Sequence, residues 1–249
     1  MTDAARASLV DAVRSSGLAG EGPGLALCSG GADSSGLLAG LAGAVGPGLV
    51  LALHLNYGLR PDSGAGEAAC VSLCRELGVE LVVERPSLPD AGNLQANARE
   101  ARYATAERLR RERGLEWIAT GHTRTDLAET VVYRLATSPG RRALLGLRSR
   151  RGHVVRPLLD VSREQLREWV LAAGLPFRDD PTNAETIYAR NRIRHQVLPV
   201  LGELSPAVEA TIAETRAELA EEAETLDRLV AEALAASGAE ASGALGVED

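Results

Sequence analysis

This sequence contains no lysine, so all 27 of its lysine-plus-arginine residues are arginine. That absence excludes a Walker-type phosphate loop, a Schiff-base lysine and a lysine nucleophile. Any phosphate chemistry must therefore rely on backbone N–H groups, arginine and metal ions. Long apolar runs are missing too: no stretch approaches the ~18 uninterrupted apolar residues that predict a transmembrane helix. The first residues also contain no apolar signal-peptide core, so we predict neither a membrane anchor nor a secretory signal.

Cysteine is scarce. Cys28, Cys70 and Cys74 are the only three, and they lack the C-x-x-C spacing of zinc or redox sites. We predict a reducing, cytoplasmic setting. Cys70 and Cys74 lie four residues apart on a predicted helix face, where they are expected to be small buried residues. No cysteine pair suited to sulfur chemistry is predicted.

Negative charge predominates overall, with a net charge of −7, but it is unevenly distributed. Residues 203–249 carry 2 arginines against 12 acidic residues, whereas residues 85–156 carry 15 arginines against 7 acidic residues, a net of +8. The acidic average therefore does not exclude a nucleic-acid partner. We predict that the basic middle region contacts an RNA backbone.

Short apolar runs alternate with amphipathic stretches, a pattern typical of βαβ units around a parallel sheet. We predict an α/β domain over residues 1–175 with a doubly wound, parallel, five-stranded sheet. A helical appendage over 176–237 and a disordered tail over 238–249 are expected to follow it. The predicted strands are Leu25–Cys28, Leu49–Leu55, Val79–Glu84, Glu116–Thr120 and Val154–Leu158.

The loop after the first strand reads Ser29-Gly30-Gly31-Ala32-Asp33-Ser34 and leads into a helix. Twin glycines let backbone N–H groups approach an anion closely, and the helix presents its positive end to it. The two serines add hydroxyl donors. A carboxylate beside phosphates requires a cation between them, so we expect Asp33 to be a Mg²⁺ ligand shared with the phosphates.

This loop resembles the S-G-G-x-D-S pyrophosphate loop of the N-type ATP pyrophosphatases, whose fold is of the adenine-nucleotide alpha hydrolase type. Later segments resemble one family in that group, the tRNA(Ile)-lysidine synthetases, and the likeness extends from about residue 24 to 201. The resemblance implies that ATP is bound by Ser29, Gly30, Gly31, Asp33 and Ser34.

Two further segments carry this resemblance. One follows the second strand, and the other lies on an arginine-rich helix predicted from about Leu94 to Arg113. His54, Asn56 and Arg60 match the family's H-x-N-H-x-L-R stretch, which implies contacts with ATP for the first two and with nucleotide or tRNA for Arg60. Tyr57 replaces the family's second histidine. On the arginine-rich helix, Arg102 matches the A-R-x-x-R-Y segment, which implies binding of the lysine substrate.

After the fourth strand, residues 121–130 resemble the family's G-H-H-x-D-D-Q-x-E-T block. Gly121 and His122 are implied in ATP binding. Asp126 and Glu129 lie three residues apart near a helix N-terminus, where two carboxylates would attract the ammonium group of lysine. They are implied in lysine binding and, with Asp33, in catalysis. The sequence departs from the family pattern at Thr123, Thr125 and Leu127.

The last matching segments are Arg156-Pro157-Leu158-Leu159, Asp180-Pro181-Thr182-Asn183 and residues 188–194, close to the family's Y-x-R-N-x-x-R. Within the latter, Arg190 and Arg194 have the i, i+4 spacing that allows both to contact one anionic group. The resemblance implies nucleotide or tRNA contacts for Arg190, Asn191 and Arg194.

In the resembled family, ATP activates the C2 oxygen of the wobble cytidine of isoleucine tRNA with a CAU anticodon. The amine of free L-lysine then displaces AMP. The expected cofactors are ATP and Mg²⁺, and the oligomeric state is left open between monomer and homodimer. The alternatives are a tRNA-thiolating or amide-forming ATP pyrophosphatase and a nucleotide-binding module without catalysis. Thiolation would require a suitable cysteine pair or metal site, and the intact polar residues of the loop disfavour a module without catalysis.

Overall fold

The computed structural model describes residues 2–58, 63–89, 93–179 and 189–236. Its centre is a six-stranded sheet with the strand order β3-β2-β1-β4-β6-β5. The strands β1 to β4 and β6 are parallel to one another, and β5 pairs antiparallel with β6. The strands are β1 (Gly24–Leu27), β2 (Val50–Leu55), β3 (Glu80–Glu84), β4 (Trp117–Ala119), β5 (Arg150–Arg151) and β6 (Val154–Val155).

The prediction of five strands, all parallel, was wrong at one edge of the sheet. Arg150–Arg151 forms a short strand that turns through Gly152 and His153 and pairs back on β6. Gly152 adopts a φ of 55°, which a glycine allows without strain. Two exposed arginines have no apolar alternation, so periodicity could not identify this strand. The predicted fifth strand also ends earlier, at Val155, and a turn over residues 157–160 follows it.

Nine α-helices surround and extend the sheet. They are α1 (Thr2–Ser15), α2 (Ala32–Val45), α3 (Ser63–Leu77), α4 (Leu94–Glu112), α5 (Arg124–Thr137), α6 (Arg163–Ala172), α7 (Ala189–Arg192), α8 (Leu198–Leu204) and α9 (Val208–Ala236). A π-helical turn, Ile193–Val197, joins α7 to α8, and 3₁₀ turns lie at Pro47–Leu49 and Arg141–Leu145. This count refers to the described ranges.

Apolar side chains fill both faces of the sheet. Successive strand residues point to opposite faces, so Ala26 belongs to the core beneath α1, α2, α3 and α6, while Leu25 belongs to the core beneath α4. The larger core includes Leu9, Leu37, Leu41, Cys70, Leu73, Trp117, Leu166 and Val170. Both faces of the parallel part of the sheet are therefore covered, as expected for a doubly wound fold.

The C-terminal helices pack on α5 rather than on the sheet. Leu127 and Val131 of α5 contact Ile212 of α9, and Ala128 contacts the buried Ile193 and Leu198. The division at residue 176 stays a prediction, and the predicted tail over 238–249 lies outside the described residues. In the described part of the chain, no helix combines the length and apolarity needed to cross a bilayer.

Candidate nucleotide and amine site

The loop Ser29–Gly31 lies at the carboxyl end of β1, between the ends of β2 and β4. Strand order reverses at β1, because the chain passes first to β2 on one side and later to β4 on the other. Ligands of open α/β folds bind at such a switch point. Gly121, after β4, comes so close that a Cβ there would lie 3.0 Å from the Asp33 carbonyl oxygen. The predicted residues after β1 and β4 are thus brought together.

Two serines hold the loop in shape. The Ser34 hydroxyl donates to the Gly31 carbonyl at 2.9 Å and accepts from the Ser29 amide at 3.1 Å, and the Ser29 and Ser34 hydroxyl oxygens are 3.1 Å apart. The Arg178 amide donates to the Gly30 carbonyl at 2.8 Å. Ser34 is buried and Ser29 is exposed. Ser34 therefore braces the loop, and the Ser29 hydroxyl lies on the open side.

Gly30 is required by the geometry of this turn. Its φ of +87° lies in the left-handed region, and a Cβ would stand 2.6 Å from the Gly66 carbonyl oxygen of α3. Gly31 has extended backbone, with φ −85° and ψ 165°, immediately before α2. A Cβ at Gly31 would have only ordinary contacts, the nearest at 3.6 Å from Ser29 Oγ. Gly30 therefore shapes the turn, while Gly31 keeps its outer surface open to a ligand.

His54 and two cysteines lie beneath the loop. The His54 Nδ1 is 2.9 Å from the Cys28 carbonyl oxygen and 3.3 Å from Cys70 Sγ, and the ring is 5% exposed. Cys28 Sγ lies 3.2 Å from Cys70 Sγ. No sequence signal pointed to this contact, because β1 and α3 bring together two free thiols that lie far apart in the chain. Cys28, Cys70 and Cys74 are buried in the described structure, and burial raises the pKa of Cys74 to about 12.

Three carboxylates and two guanidinium groups meet beside the loop. We call these five residues the carboxylate–arginine cluster. Arg163 Nε lies 3.0 Å from Asp33 Oδ2, its Nη2 2.7 Å from Asp126 Oδ1, and its Nη1 3.3 Å from Glu129 Oε1. Arg194 donates to both Glu129 oxygens, at 2.5 and 3.0 Å. The members of the cluster are Asp33, Asp126, Glu129, Arg163 and Arg194.

Four of these five residues were predicted, and the structure brings all four together. Arg163, the first residue of α6, was missed. A sequence signal existed, because a cation in the first turn opposes the positive N-terminal end of the helix dipole. Ser162 caps this helix by accepting a hydrogen bond from the Gln165 amide. An arginine directly after a capping serine is electrostatically unfavourable for the helix alone, and at Arg163 carboxylates from α2 and α5 offset this.

Burial and the guanidinium groups act in opposite directions on the carboxylates. Burial raises the pKa of Asp33, and the charge of Arg163 only partly offsets this. Burial alone would also raise the pKa of Asp126, but Arg163 and hydrogen bonds from Thr123 reverse the shift, so the pKa is lowered. Glu129 is 1% exposed. The charge of Arg163 therefore favours the ionised form of Asp33 and Asp126 against the effect of burial.

Thr123, Thr125 and Leu127, which differ from the family's motif, have structural roles here. Thr123 and Asp126 form a reciprocal capping box at the start of α5, with the Thr123 amide donating to Asp126 Oδ2 at 2.8 Å. Thr125 accepts from the Arg163 amide at 3.0 Å and donates to Glu209 at 2.9 Å. Leu127 is buried in the contact with α9. The helix start is thus preserved with different side chains.

His122 lies between the cluster and several further arginines. Burial is the main cause that lowers the pKa of His122 to about 4, and Asp126 opposes this shift. The positive charges of Arg156, Arg99 and Arg190 add to the lowering. The imidazole is therefore neutral near pH 7, in a region of positive potential. Arg190, predicted to contact nucleotide or tRNA, contributes to that region.

The remaining predicted residues are less closely associated with the cluster. Asn56 donates to Glu67 at 2.8 Å and accepts from the Gly58 amide at 3.0 Å. Arg102 lies exposed on α4, and within the described ranges no hydrogen bond or ion pair joins it to the three carboxylates. Asn191 is half-buried on α7. Arg60 and the segment Asp180–Asn183 lie outside the described residues.

A divalent metal fits this site only together with a ligand. In the described part of the chain, no group of three or more His, Cys, Asp or Glu side chains is arranged to hold a metal ion. Mg²⁺, however, typically binds through one or two carboxylates plus substrate phosphates rather than in an all-protein cage. Asp33, in the first turn of α2 beside the loop amides, supplies such a carboxylate. The donor set therefore agrees with a metal that arrives with a polyphosphate.

Comparison with known families identifies a PP-loop domain over residues 17–201. The chain is 40% identical over 216 residues to the tRNA(Ile)-lysidine synthase of Thermus thermophilus, covering 85% of this chain and 42% of that protein. It is 38% identical to the Thermobifida fusca tRNA(Ile)-lysidine synthase, covering 82% of this chain and 64% of that protein. The chain thus spans about half the length of the curated relatives it matches.

Solved structures agree with the fold. A U34-tRNA thiolase from Methanococcus maripaludis, solved with its [4Fe-4S] cluster, superposes with a TM-score of 0.71 at 17% identity, covering 88% of this chain and 80% of that chain. An NH3-dependent NAD synthetase from Campylobacter jejuni gives a TM-score of 0.51 at 13% identity, covering 88% of this chain and 95% of that chain. At these identities the likeness concerns the fold.

Proposed function

The chain belongs to the PP-loop domain family, and from this premise we propose that it ligates lysine to a tRNA base by an ATP-dependent reaction. The acceptor is C2 of the wobble cytidine of isoleucine tRNA with a CAU anticodon. The reaction proceeds through an adenylated base and releases pyrophosphate and AMP. The curated relatives named tRNA(Ile)-lysidine synthase support this assignment.

One observation carries the proposal beyond the family name. Arg163 joins the phosphate loop to the predicted amine-binding carboxylates. Its side chain contacts Asp33 beside the loop and also Asp126 and Glu129. A nucleotide on the loop would therefore have its α-phosphate close to the two carboxylates of α5. An enzyme that activates an oxygen and then replaces it with an amine needs this proximity.

In the first step, the C2 oxygen of cytidine attacks the α-phosphorus of ATP. The bond from that phosphorus to the oxygen bridging to the β-phosphate breaks, and pyrophosphate leaves. Backbone amides of Gly30 and Gly31 and the N-terminus of α2 would stabilise the leaving group. Asp33 would hold Mg²⁺, which neutralises charge on the phosphates when bound.

In the second step, the lysine amine attacks C2, the bond from C2 to the adenylated oxygen breaks, and AMP leaves. A free lysine side chain has a pKa of about 10.4, so the amine must lose a proton to react. Asp126 and Glu129 are the candidates to attract the ammonium group and accept the proton. Both already accept hydrogen bonds from guanidinium groups. The incoming amine would share or replace one of those donors.

The tRNA contacts are proposed on the surface beside His122. Arg190, Asn191 and Arg194 follow one another on the helical segment 189–197, and Arg60 would extend the contact after β2. Ordinary anticodon loops hold their bases stacked, so the cytidine must be splayed out to enter the site. We also propose a cytoplasmic setting for the protein, with a homodimer as a possible assembly to test.

The thiolation alternative is less well supported. Cys28 and Cys70 do lie within contact distance, but they are 2% and 0% exposed beneath the loop. The loop would separate a persulfide formed there from the open face where a substrate binds.

The alternative of a binding module without catalysis is also less well supported. Such a module would not need three buried or half-buried carboxylates held by two arginines, since unpaired buried charge is costly.

The decisive experiment incubates the chain with ATP, Mg²⁺, labelled lysine and isoleucine tRNA carrying a CAU anticodon. We expect label in the tRNA and one pyrophosphate per modified cytidine. Asp126→Asn and Glu129→Gln should reduce lysine transfer on the order of 10²-fold and tRNA-dependent ATP–pyrophosphate exchange much less. Glu164→Gln, an exposed neighbour on α6, is the matched control. Sulfur transfer, or nucleotide binding without pyrophosphate release, would contradict the proposal.

A further inference from the structure

Arg163 contacts three carboxylates of the proposed site, more than any site residue that was predicted from the sequence. Its three guanidinium nitrogens each lie near a different carboxylate, at 3.0 Å from Asp33, 2.7 Å from Asp126 and 3.3 Å from Glu129. These carboxylates come from α2 and α5, so one side chain of α6 joins the two helices. Each of the three contacts lies within ion-pair distance.

The backbone that carries Arg163 is fixed to α5 independently of its side chain. The Arg163 amide donates to Thr125 Oγ1 at 3.0 Å, and the Arg124 amide donates to the Val161 carbonyl at 2.9 Å. The first turns of α5 and α6 therefore form one unit. The guanidinium position relative to Asp126 and Glu129 is set by that unit.

Helix α6, which carries Arg163, also packs closely against α2. A Cβ at Gly36 of α2 would stand 2.7 Å from the Leu166 side chain of α6, so the two helices pack with no room for a larger residue. Asp33 lies one turn before Gly36 on the same helix. The contact between Arg163 and Asp33 thus spans the boundary between the phosphate loop and the unit formed by α5 and α6.

We propose that Arg163 is a positioning residue that sets the phosphate-loop carboxylate Asp33 in register with Asp126 and Glu129, and whose charge also attracts the polyphosphate. The first role depends on the planar guanidinium, because only a fork with several donors can reach three carboxylates at once. The second role depends on charge alone. Lysine keeps the charge and loses the fork, so the two roles can be separated by substitution.

The first measurement is nucleotide affinity with and without a divalent metal, by calorimetry with ATP alone and with Mn²⁺ and ATP. For Arg163→Met we expect affinity for metal-free ATP to fall about tenfold, because a positive charge beside the loop is lost. Affinity in the presence of Mn²⁺ should fall less, since the metal replaces part of that charge. Arg163→Lys should keep both affinities within about twofold of the unsubstituted chain.

The second measurement separates the two chemical steps and rests on the proposed function. Arg163→Lys should retain most ATP–pyrophosphate exchange, while lysine transfer falls on the order of 10²-fold because the carboxylates lose register with the nucleotide. The matched control is Arg167→Met, one turn along α6, where the arginine pairs with Asp179 at 2.6 Å and is 43% exposed. It should change neither measurement.

Folding is checked first by thermal denaturation, and Arg163→Lys serves if the methionine variant does not fold. Unchanged affinities for Arg163→Met, or proportional losses with and without metal, would overturn the electrostatic role. Undiminished lysine transfer in Arg163→Lys would overturn the positioning role. If the unsubstituted chain binds ATP but transfers no lysine, the proposed function fails while the affinity test of Arg163 still stands.

Discussion

The phosphate loop and the carboxylate–arginine cluster meet at Asp33, yet they are constructed in opposite ways. The loop is held by neutral hydrogen bonds, most of them among six consecutive residues and one from the Arg178 amide, and by one glycine with positive φ. The cluster is held by charged contacts among side chains from α2, α5, α6 and the turn after α7. Local geometry therefore specifies the first region, and long-range charge pairing specifies the second. The two should respond differently to substitution.

The largest expected effect is in the cluster. Glu129→Ala removes a carboxylate that is 1% exposed and accepts from both Arg163 and Arg194. Two partly buried guanidinium groups would lose their shared partner, and breaking a buried pair in this way costs about 3–5 kcal/mol. Urea denaturation should show this loss in the free energy of unfolding.

A matched change in the loop is Ser34→Ala, which removes the neutral hydrogen bonds of this hydroxyl to the Gly31 carbonyl, the Ser29 amide and the Ser29 hydroxyl. We expect it to cost about 1–2 kcal/mol, because hydrogen bonds between uncharged groups contribute less than paired buried charges. Equal losses for Glu129→Ala and Ser34→Ala would show that the contrast between the two regions is wrong.

The next largest expected effect distinguishes the two glycines of the loop, Gly30 and Gly31, by substitution with alanine. Gly30→Ala places a side chain at φ +87° with its Cβ 2.6 Å from a backbone oxygen, and we expect it to cost about 2–3 kcal/mol. Gly31→Ala meets only ordinary contacts, so its cost should stay below about 1 kcal/mol. Its Cβ would nevertheless obstruct a phosphate, and ATP affinity should fall at least about tenfold.

Thermal denaturation and calorimetry with ATP check both glycine variants. For a chain of this size, each kcal/mol corresponds to a shift of about 2–4 °C in Tm. A large loss of stability in Gly31→Ala with unchanged ATP affinity would reverse the roles assigned to the two positions.

The contrast also explains which features the sequence could predict. The loop was predicted residue by residue, because strand, glycines, serines and helix are contiguous and each acts on its neighbours. Asp126 and Glu129 were found through the resemblance of residues 121–130 to a family motif, and their spacing places both on one face of a helix. Arg163 was missed because its partners lie 34 to 130 residues away in the chain, and its unusual place in the first turn of a helix does not identify those partners.

Two other features that the sequence did not reveal have the same cause. The Cys28–Cys70 contact joins β1 to α3, 42 residues apart, and spacing rules for cysteines concern only nearby pairs. The β5 strand has two exposed residues and depends on pairing with β6. By contrast, the parallel strands β1 to β4 were predicted, because they are buried apolar runs separated by amphipathic helices, which periodicity detects well.

The smallest expected effect concerns acid sensitivity beside the cluster. Burial lowers the pKa of His122 to about 4, below the unfolded value of about 6.5. The unfolded chain therefore binds this proton more readily, so the stabilisation is complete above pH 6.5 and is lost as pH falls toward 4. His122→Gln should flatten the rise in unfolding free energy over that range. Above pH 7 the two profiles should run parallel, which supplies the internal control. An unaltered slope between pH 4 and 6.5 would mean that this imidazole does not cause the acid sensitivity, and Asp126, whose pKa is also lowered in the fold, would be the next residue to test.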